Sequence, residues 1–142
     1  MTIAAPKQHQ LRFRPSFAGF AAARRELRTL LDHRPIDADS SHDIQLVFDE
    51  IAINIVRHGC ARRDVLVQIA FAPDEAVLTF EDDGKPFDPR LHPEPPPPRS
   101  LHETPTGGRG VLLVRTLASR MDYELTAQRH NLLTLAVPVR SI

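Results

Sequence analysis

One cysteine in 142 residues leaves no internal disulfide, and with no second Cys near Cys60 there is no thiolate cluster for a structural zinc ion. Lysine is almost as scarce. Two lysines stand against sixteen arginines, so the basic side of the chain consists of the residue best suited to bidentate contacts with carboxylate or phosphate. Net charge is missing too: eighteen basic and eighteen acidic residues cancel, and nothing global recommends nucleic acid or an anionic membrane as a partner. No apolar run approaches the ~20 residues that span a bilayer. The opening MTIAAPKQHQLRFRP also lacks the apolar stretch of a signal peptide, so the expected compartment is the cytoplasm. What is present, 42% hydrophobic and 25% charged residues, is close to the globular average and excludes a disordered chain. The length suits a single domain, 1–142, whose core buries roughly 70% of the unfolded surface.

Residues 8–14 alternate as a short strand, and Pro15-Ser16 offers a stop and a helix cap. From Phe17 to about Asp32, Phe20, Ala23, Leu27, Leu30 and Leu31 recur at helical spacing. Asp37 to Ser41 supply N-cap candidates for a second helix to about His58, with Gly59 in the place of a C-terminal left-handed residue. Ile44, Val47, Phe48, Ile51, Ala52 and Ile55 form its core stripe. Leu46 and Ile53 project from the opposite side, so this helix should be touched on two sides. Val65–Phe71 and Ala76–Asp82 read as a hairpin turning at Pro73-Asp74. Eight of the thirteen prolines then fall between Pro86 and Pro105, which denies that stretch a packed helix or a central strand and makes it a surface loop, residues 85–107. Val111 to Arg120 reads as a helix, and Met121–Gln128 with Leu132–Val139 as a last hairpin turning at Arg129-His130-Asn131. Strands arriving in hairpins predict a two-layer α/β (α+β) sandwich: a mixed, mostly antiparallel sheet with its helices on one face.

Three constellations could carry chemistry. Glu50 and Asn54 lie one helical turn apart, about 6 Å along the axis, where a carboxylate can accept a proton and a carboxamide can offer an oxygen to a hard cation. Taken alone, such a pair is far more often a solvated flank, since it occurs by chance often. Asp82-x-Gly84 ends an apolar strand; the carboxylate could read a donor on a ligand, or the pair could be a turn and nothing more. Gly107-Gly108-Arg109-Gly110 opens a helix, the arrangement in which backbone N–H groups cradle an anion. Neither a Walker loop nor a Rossmann fingerprint is present, because Lys-Ser/Thr is absent and no strand precedes the glycines.

In that order and spacing, E-x-x-x-N on a helix, D-x-G after the next hairpin, a long loop and G-x-G opening the following helix resemble the N, G1 and G2 boxes of the GHKL ATPases. DDGKPFDP and GGRGVLLVRTL look like the stand-alone serine kinase anti-sigma factors of the RsbW and SpoIIAB type. The resemblance covers nearly the whole chain and implies the Bergerat ATP-binding fold, with ATP and Mg²⁺ as cofactors. It implies that Asn54 holds Mg²⁺, that Glu50 is the base toward a serine hydroxyl, and that Asp82 accepts from the adenine amino group. Gly84 would give the base room, Gly108 and Gly110 would line the phosphates, and Thr134 would place a hydroxyl near adenine. Residues 85–107 would be the ATP lid, mobile without nucleotide, with Arg99 or Arg109 as candidates for a γ-phosphate contact. His58 and Gly59 fit the family's helix ending, although a cation at a helix C-terminus explains the histidine equally well.

The implied function is an ATP-dependent serine protein kinase that binds a sigma factor and phosphorylates a STAS-domain anti-sigma factor antagonist in a partner switch. The implied assembly is a homodimer, without direct contact to nucleic acid or membrane. The alternative is a non-catalytic ATP-binding module that sequesters a sigma factor or another regulator. No histidine-bearing dimerisation helix lies upstream, which removes a sensor histidine kinase, and a topoisomerase-like clamp would need a transducer domain that the length does not accommodate.

Overall fold

The computed structural model of the protein describes residues 8–91 and 109–142. Five strands are present among them: β1 (Gln8–Phe13), β2 (Val65–Phe71), β3 (Glu75–Asp82), β4 (Arg120–Leu125) and β5 (Asn131–Pro138). The three α-helices are α1 (Phe17–Asp32), α2 (Ala38–His58) and α3 (Arg109–Leu117), and a short 3₁₀ turn spans Pro89–Leu91. The strands lie in the order β1-β2-β3-β5-β4, and every pairing among the described residues is antiparallel, so the sheet is not mixed as expected: besides the hairpins β2–β3 and β4–β5, the pairs β1–β2 and β3–β5 also run antiparallel.

Period-2 burial decides which face the helices cover. Leu11, Val67, Phe80 and Leu133 are register partners across four strands, and Ile69, Leu78 and Leu135 form the next row; all are buried. They pack with Leu27 of α1, Ile44 and Phe48 of α2 and Val114 of α3 in one apolar core. Phe48 is the hub, with its ring about 6 Å from the rings of Phe13, Phe20 and Phe80. The same register carries the covered face to its end at Asp82 and Asn131, which sit opposite each other and are buried although polar. Thr134 falls on the other parity. It pairs with Thr79 and Asp122 on the uncovered face.

The helix ends follow local chemistry. Ser16 caps α1, its hydroxyl accepting from the Gly19 N–H at 3.0 Å, and Asp37 caps α2 by accepting from the Ser40 N–H at 2.8 Å. Replacing Ser16 with Ala is expected to cost about 1 kcal/mol, read as a lower urea midpoint with unchanged slope. The Ser40 hydroxyl accepts from the Arg140 N–H at 2.8 Å, tying the C-terminal segment to the first turn of α2.

Several sequence expectations are corrected. Gly59 is right-handed helical, and the left-handed residue that turns the chain out of α2 is Cys60, at φ 54°. α3 begins earlier and stops at Leu117, so Arg120 opens β4, while β4 ends at Leu125 and Asn131 is the first residue of β5 rather than part of the turn. Arg24 of α1 is held inside the chain by Asp49 at 2.6 Å and Gln45 at 2.5 Å, which joins α1 to α2. The proline-rich stretch beyond Leu91, expected to be the lid, lies outside the described residues, with Arg99, Gly107 and Gly108.

Candidate functional site

Between α2, the ends of β3 and β5 and the start of α3 lies a cavity of about 680 Å³, within the range that small-molecule sites occupy. Its walls are largely apolar: Ile51, Ile53, Phe80, Val111 and Leu133 belong to them. This explains the second apolar side of α2 at Ile53, which faces the cavity. Polar side chains interrupt the lining from several elements, Arg57, Lys85 and Tyr123 among them, and they include the residues the motifs single out. Glu50 and Asn54 enter from the helix, Asp82 from the end of β3, and Gly110 from the first turn of α3. Residues as far apart in the chain as Glu50 and Gly110 therefore meet in one site.

Gly110 lies directly against the Glu50 carboxylate; a Cβ at this position would overlap it. The first turn of α3 thus closes on Glu50 because position 110 has no side chain, and the partial positive charge of a helix N-terminus suits that carboxylate. The second glycine has a different part from the one expected. A Cβ on Gly84 would strike the Gly59 carbonyl, and the neighbouring Lys85 N–H donates to that same oxygen at 2.6 Å. The space at Gly84 is taken by the chain's own backbone at the end of α2, not left open for a ligand base.

Asp82 is 7% exposed, and its two oxygens are not equivalent. Oδ1 accepts from the Gly84 N–H at 2.9 Å and from Asn131 Nδ2 at 3.1 Å, whereas no group among the described residues donates to Oδ2. A buried carboxylate in an apolar cavity with one oxygen unengaged is suited to accept from a donor on a ligand. Burial pushes its pKa above the ordinary carboxyl range, and the two hydrogen bonds only partly oppose that rise. The sign for stability follows. The folded protein holds this proton more tightly than the unfolded chain, so the contribution is fully present below the ordinary Asp value and is lost as pH rises through the raised folded value. The stability of wild type relative to Asp82→Asn, from urea midpoints across that window, is therefore expected to fall as pH rises; a difference that stays flat contradicts the assignment.

Thr134 does not reach the cavity, because its side chain takes the opposite parity in β5. The polar residue that β5 contributes is Asn131, which motif reading missed. Its partners are distant in sequence or are backbone groups, and neither leaves a spacing signal. His58 and Gly59 line the cavity at the end of α2. Among the described residues no group of three or more His, Cys, Asp or Glu could hold a metal ion. A single carboxamide oxygen beside a carboxylate fits instead a metal that arrives already bound to phosphates and keeps much of its water.

The histidine kinase-like ATPase domain model matches residues 13–137, and the chain belongs to that family. Its fold is shared by a solved structure from Mycobacterium tuberculosis, the RsbU and RsbW domains of Rv1364c, with a TM-score of 0.67 and 18% identity over 96% of this chain. This chain spans 34% of that one. No curated protein matches by sequence. No helix among the described residues is long and apolar enough to cross a membrane.

Proposed function

We propose that the chain is an ATP-dependent serine protein kinase and anti-sigma factor, which phosphorylates a STAS-domain antagonist and so decides whether that antagonist or a sigma factor is bound. The observation that carries this reading is the convergence of Glu50, Asn54, Asp82 and Gly110 on one largely apolar cavity in a chain of the histidine kinase-like ATPase family. The shared fold with a protein that includes an RsbW domain supports the partner-switching role.

Asp82 Oδ2 would accept from the adenine amino group while Ile53, Phe80 and Leu133 exclude water around the base. The phosphates would then extend toward α3, whose N-terminal N–H groups favour anions. Mg²⁺, when bound with ATP, supplies charge neutralisation on the phosphates, and Asn54 would hold it. Glu50 would take the proton from the incoming serine hydroxyl; the serine oxygen forms its bond to the γ-phosphorus as the bond to the bridging oxygen breaks and ADP leaves with that electron pair. Positioning and electrostatics do most of the work in such a transfer.

Incubating the chain with γ-labelled ATP and STAS-domain proteins of the same cell, followed by phosphosite mapping, tests the reading. Label on a single serine of one of them is expected; ATP binding without transfer to any of them contradicts the kinase assignment. The metal role has its own test. Asn54→Ala is expected to weaken ATP binding in Mg²⁺ while matching wild type in EDTA, and equal affinities in Mg²⁺ would remove the role.

A further inference from the structure

Asn131 is 6% exposed, and its side-chain amide is engaged at both ends. Nδ2 donates to Asp82 Oδ1 at 3.1 Å, to the Gly84 carbonyl at 3.3 Å and to the Lys85 carbonyl at 2.9 Å. Oδ1 accepts from the Phe87 N–H at 3.1 Å and from the Tyr123 hydroxyl. The orientation of this amide is dictated by its surroundings. A backbone N–H can only donate and a carbonyl can only accept, so a flipped amide would set NH₂ against the Phe87 N–H and its oxygen against two carbonyls.

A fixed amide has a consequence for Asp82. Both groups that meet Oδ1, the Gly84 N–H and the Asn131 amide, are donors, so they hold the plane of the carboxylate with one oxygen on them and the other toward the cavity; a half-turn only restores the same arrangement, and any smaller rotation loses both bonds. We propose that Asn131 is a positioning and specificity-determining residue: it locks Asp82 so that Oδ2 alone faces the cavity as an acceptor, and it ties that selectivity to residues 84–87, the root of the lid. The site then reads an exocyclic amino group and rejects a purine with an oxygen at the same position. This inference rests on the adenine reading of the cavity.

The lock also fixes where a proton goes. Protonation of Asp82 falls on Oδ2, turning the acceptor that faces the ligand into a donor. The charged and titratable groups around Asp82 are Asp83, Glu81 with His130, Tyr123 and Lys85, with Glu50, Arg57 and His58 lining the same cavity from α2, and all are common to wild type and the variants below. A change in the pH profile between them therefore reports on position 131.

Calorimetric titration of the full chain with ATP and with GTP, across pH, tests the proposal on wild type, Asn131→Ala and the near-isosteric Asn131→Asp. Loss of the lock is expected to lower the ATP-over-GTP preference of Asn131→Ala roughly tenfold. A merely structural role would weaken both nucleotides together and leave the ratio unchanged. Asn131→Asp places a second carboxyl group beside Asp82, and the acid limb of ATP binding is expected to move to higher pH. If Asn131→Ala does not fold, Asn131→Asp, which also lacks the amide donor, decides the matter through its ATP-over-GTP ratio measured above that limb. A wild type that prefers ATP, with the preference retained in Asn131→Ala or the limb unmoved in Asn131→Asp, overturns the role of Asn131. A wild type without preference for ATP overturns the adenine reading itself.

Discussion

Glu50→Gln is expected to bind ATP as tightly as wild type and to transfer its γ-phosphate about 10²–10⁴-fold more slowly. Glutamine keeps the size and outline of the side chain that Gly110 packs against, so the junction of α2 with α3 survives the change. What disappears is the ability to accept a proton. The cavity lining offers no other carboxylate on α2 or α3: Asp82 enters from β3, where it is held by Gly84 and Asn131. Single-turnover transfer at saturating ATP isolates this step from binding, and equal rates for wild type and variant would sink the base role.

Asp82→Asn is expected to lower ATP affinity about 10–10²-fold and to erase or reverse the preference over GTP. The direction comes from the two donors already in place. The amide oxygen of the variant must stay where Oδ1 was, facing the Gly84 N–H and Asn131 Nδ2, so its NH₂ group takes the place of Oδ2. A donor then confronts the adenine amino group and suits the oxygen of guanine. Equilibrium titration with both nucleotides reads the result directly, and an unchanged preference would show that the base is not recognised through this residue.

Much of this architecture is legible in the sequence because its periodicities are strong. α1 has the bounds that its apolar spacing and the Pro15-Ser16 stop predict, and the β2–β3 hairpin is bracketed by its turn residues. The bounds of α3 show where such reading weakens: the helix read from Val111 to Arg120 runs from Arg109 to Leu117, with Val111 and Val114 buried. In a helix of nine residues, a shift of the start by two positions changes which side chains meet the core.

The candidate site divides along the same line. Glu50, Asn54 and Asp82 carry recognisable local patterns, and the fold brings them to one cavity. Thr134 and Gly84 are different, because their surroundings depend on tertiary register. A one-residue change of parity puts a strand side chain on the other face of the sheet, and it separates Thr134 from Leu133, which does line the cavity. Gly84 meets Gly59, a residue from the end of another element, and Asn131 meets Asp82 across 49 positions of chain. Hydrogen-bond partners so far apart are specified by the packing of the whole core.

The most direct measurement is a crystal structure of the chain with Mg²⁺ and a non-hydrolysable ATP analogue. The expected density places the adenine amino group on Asp82 Oδ2 among Ile53, Phe80 and Leu133, with the phosphates running toward Gly110 and the terminal phosphate facing Glu50. A second, more open recess of about 540 Å³ lies on the other side of Gly84, lined by Arg63, Arg129 and His130. A nucleotide seated there, or one whose base makes no contact with Asp82, contradicts the assignment of the cavity.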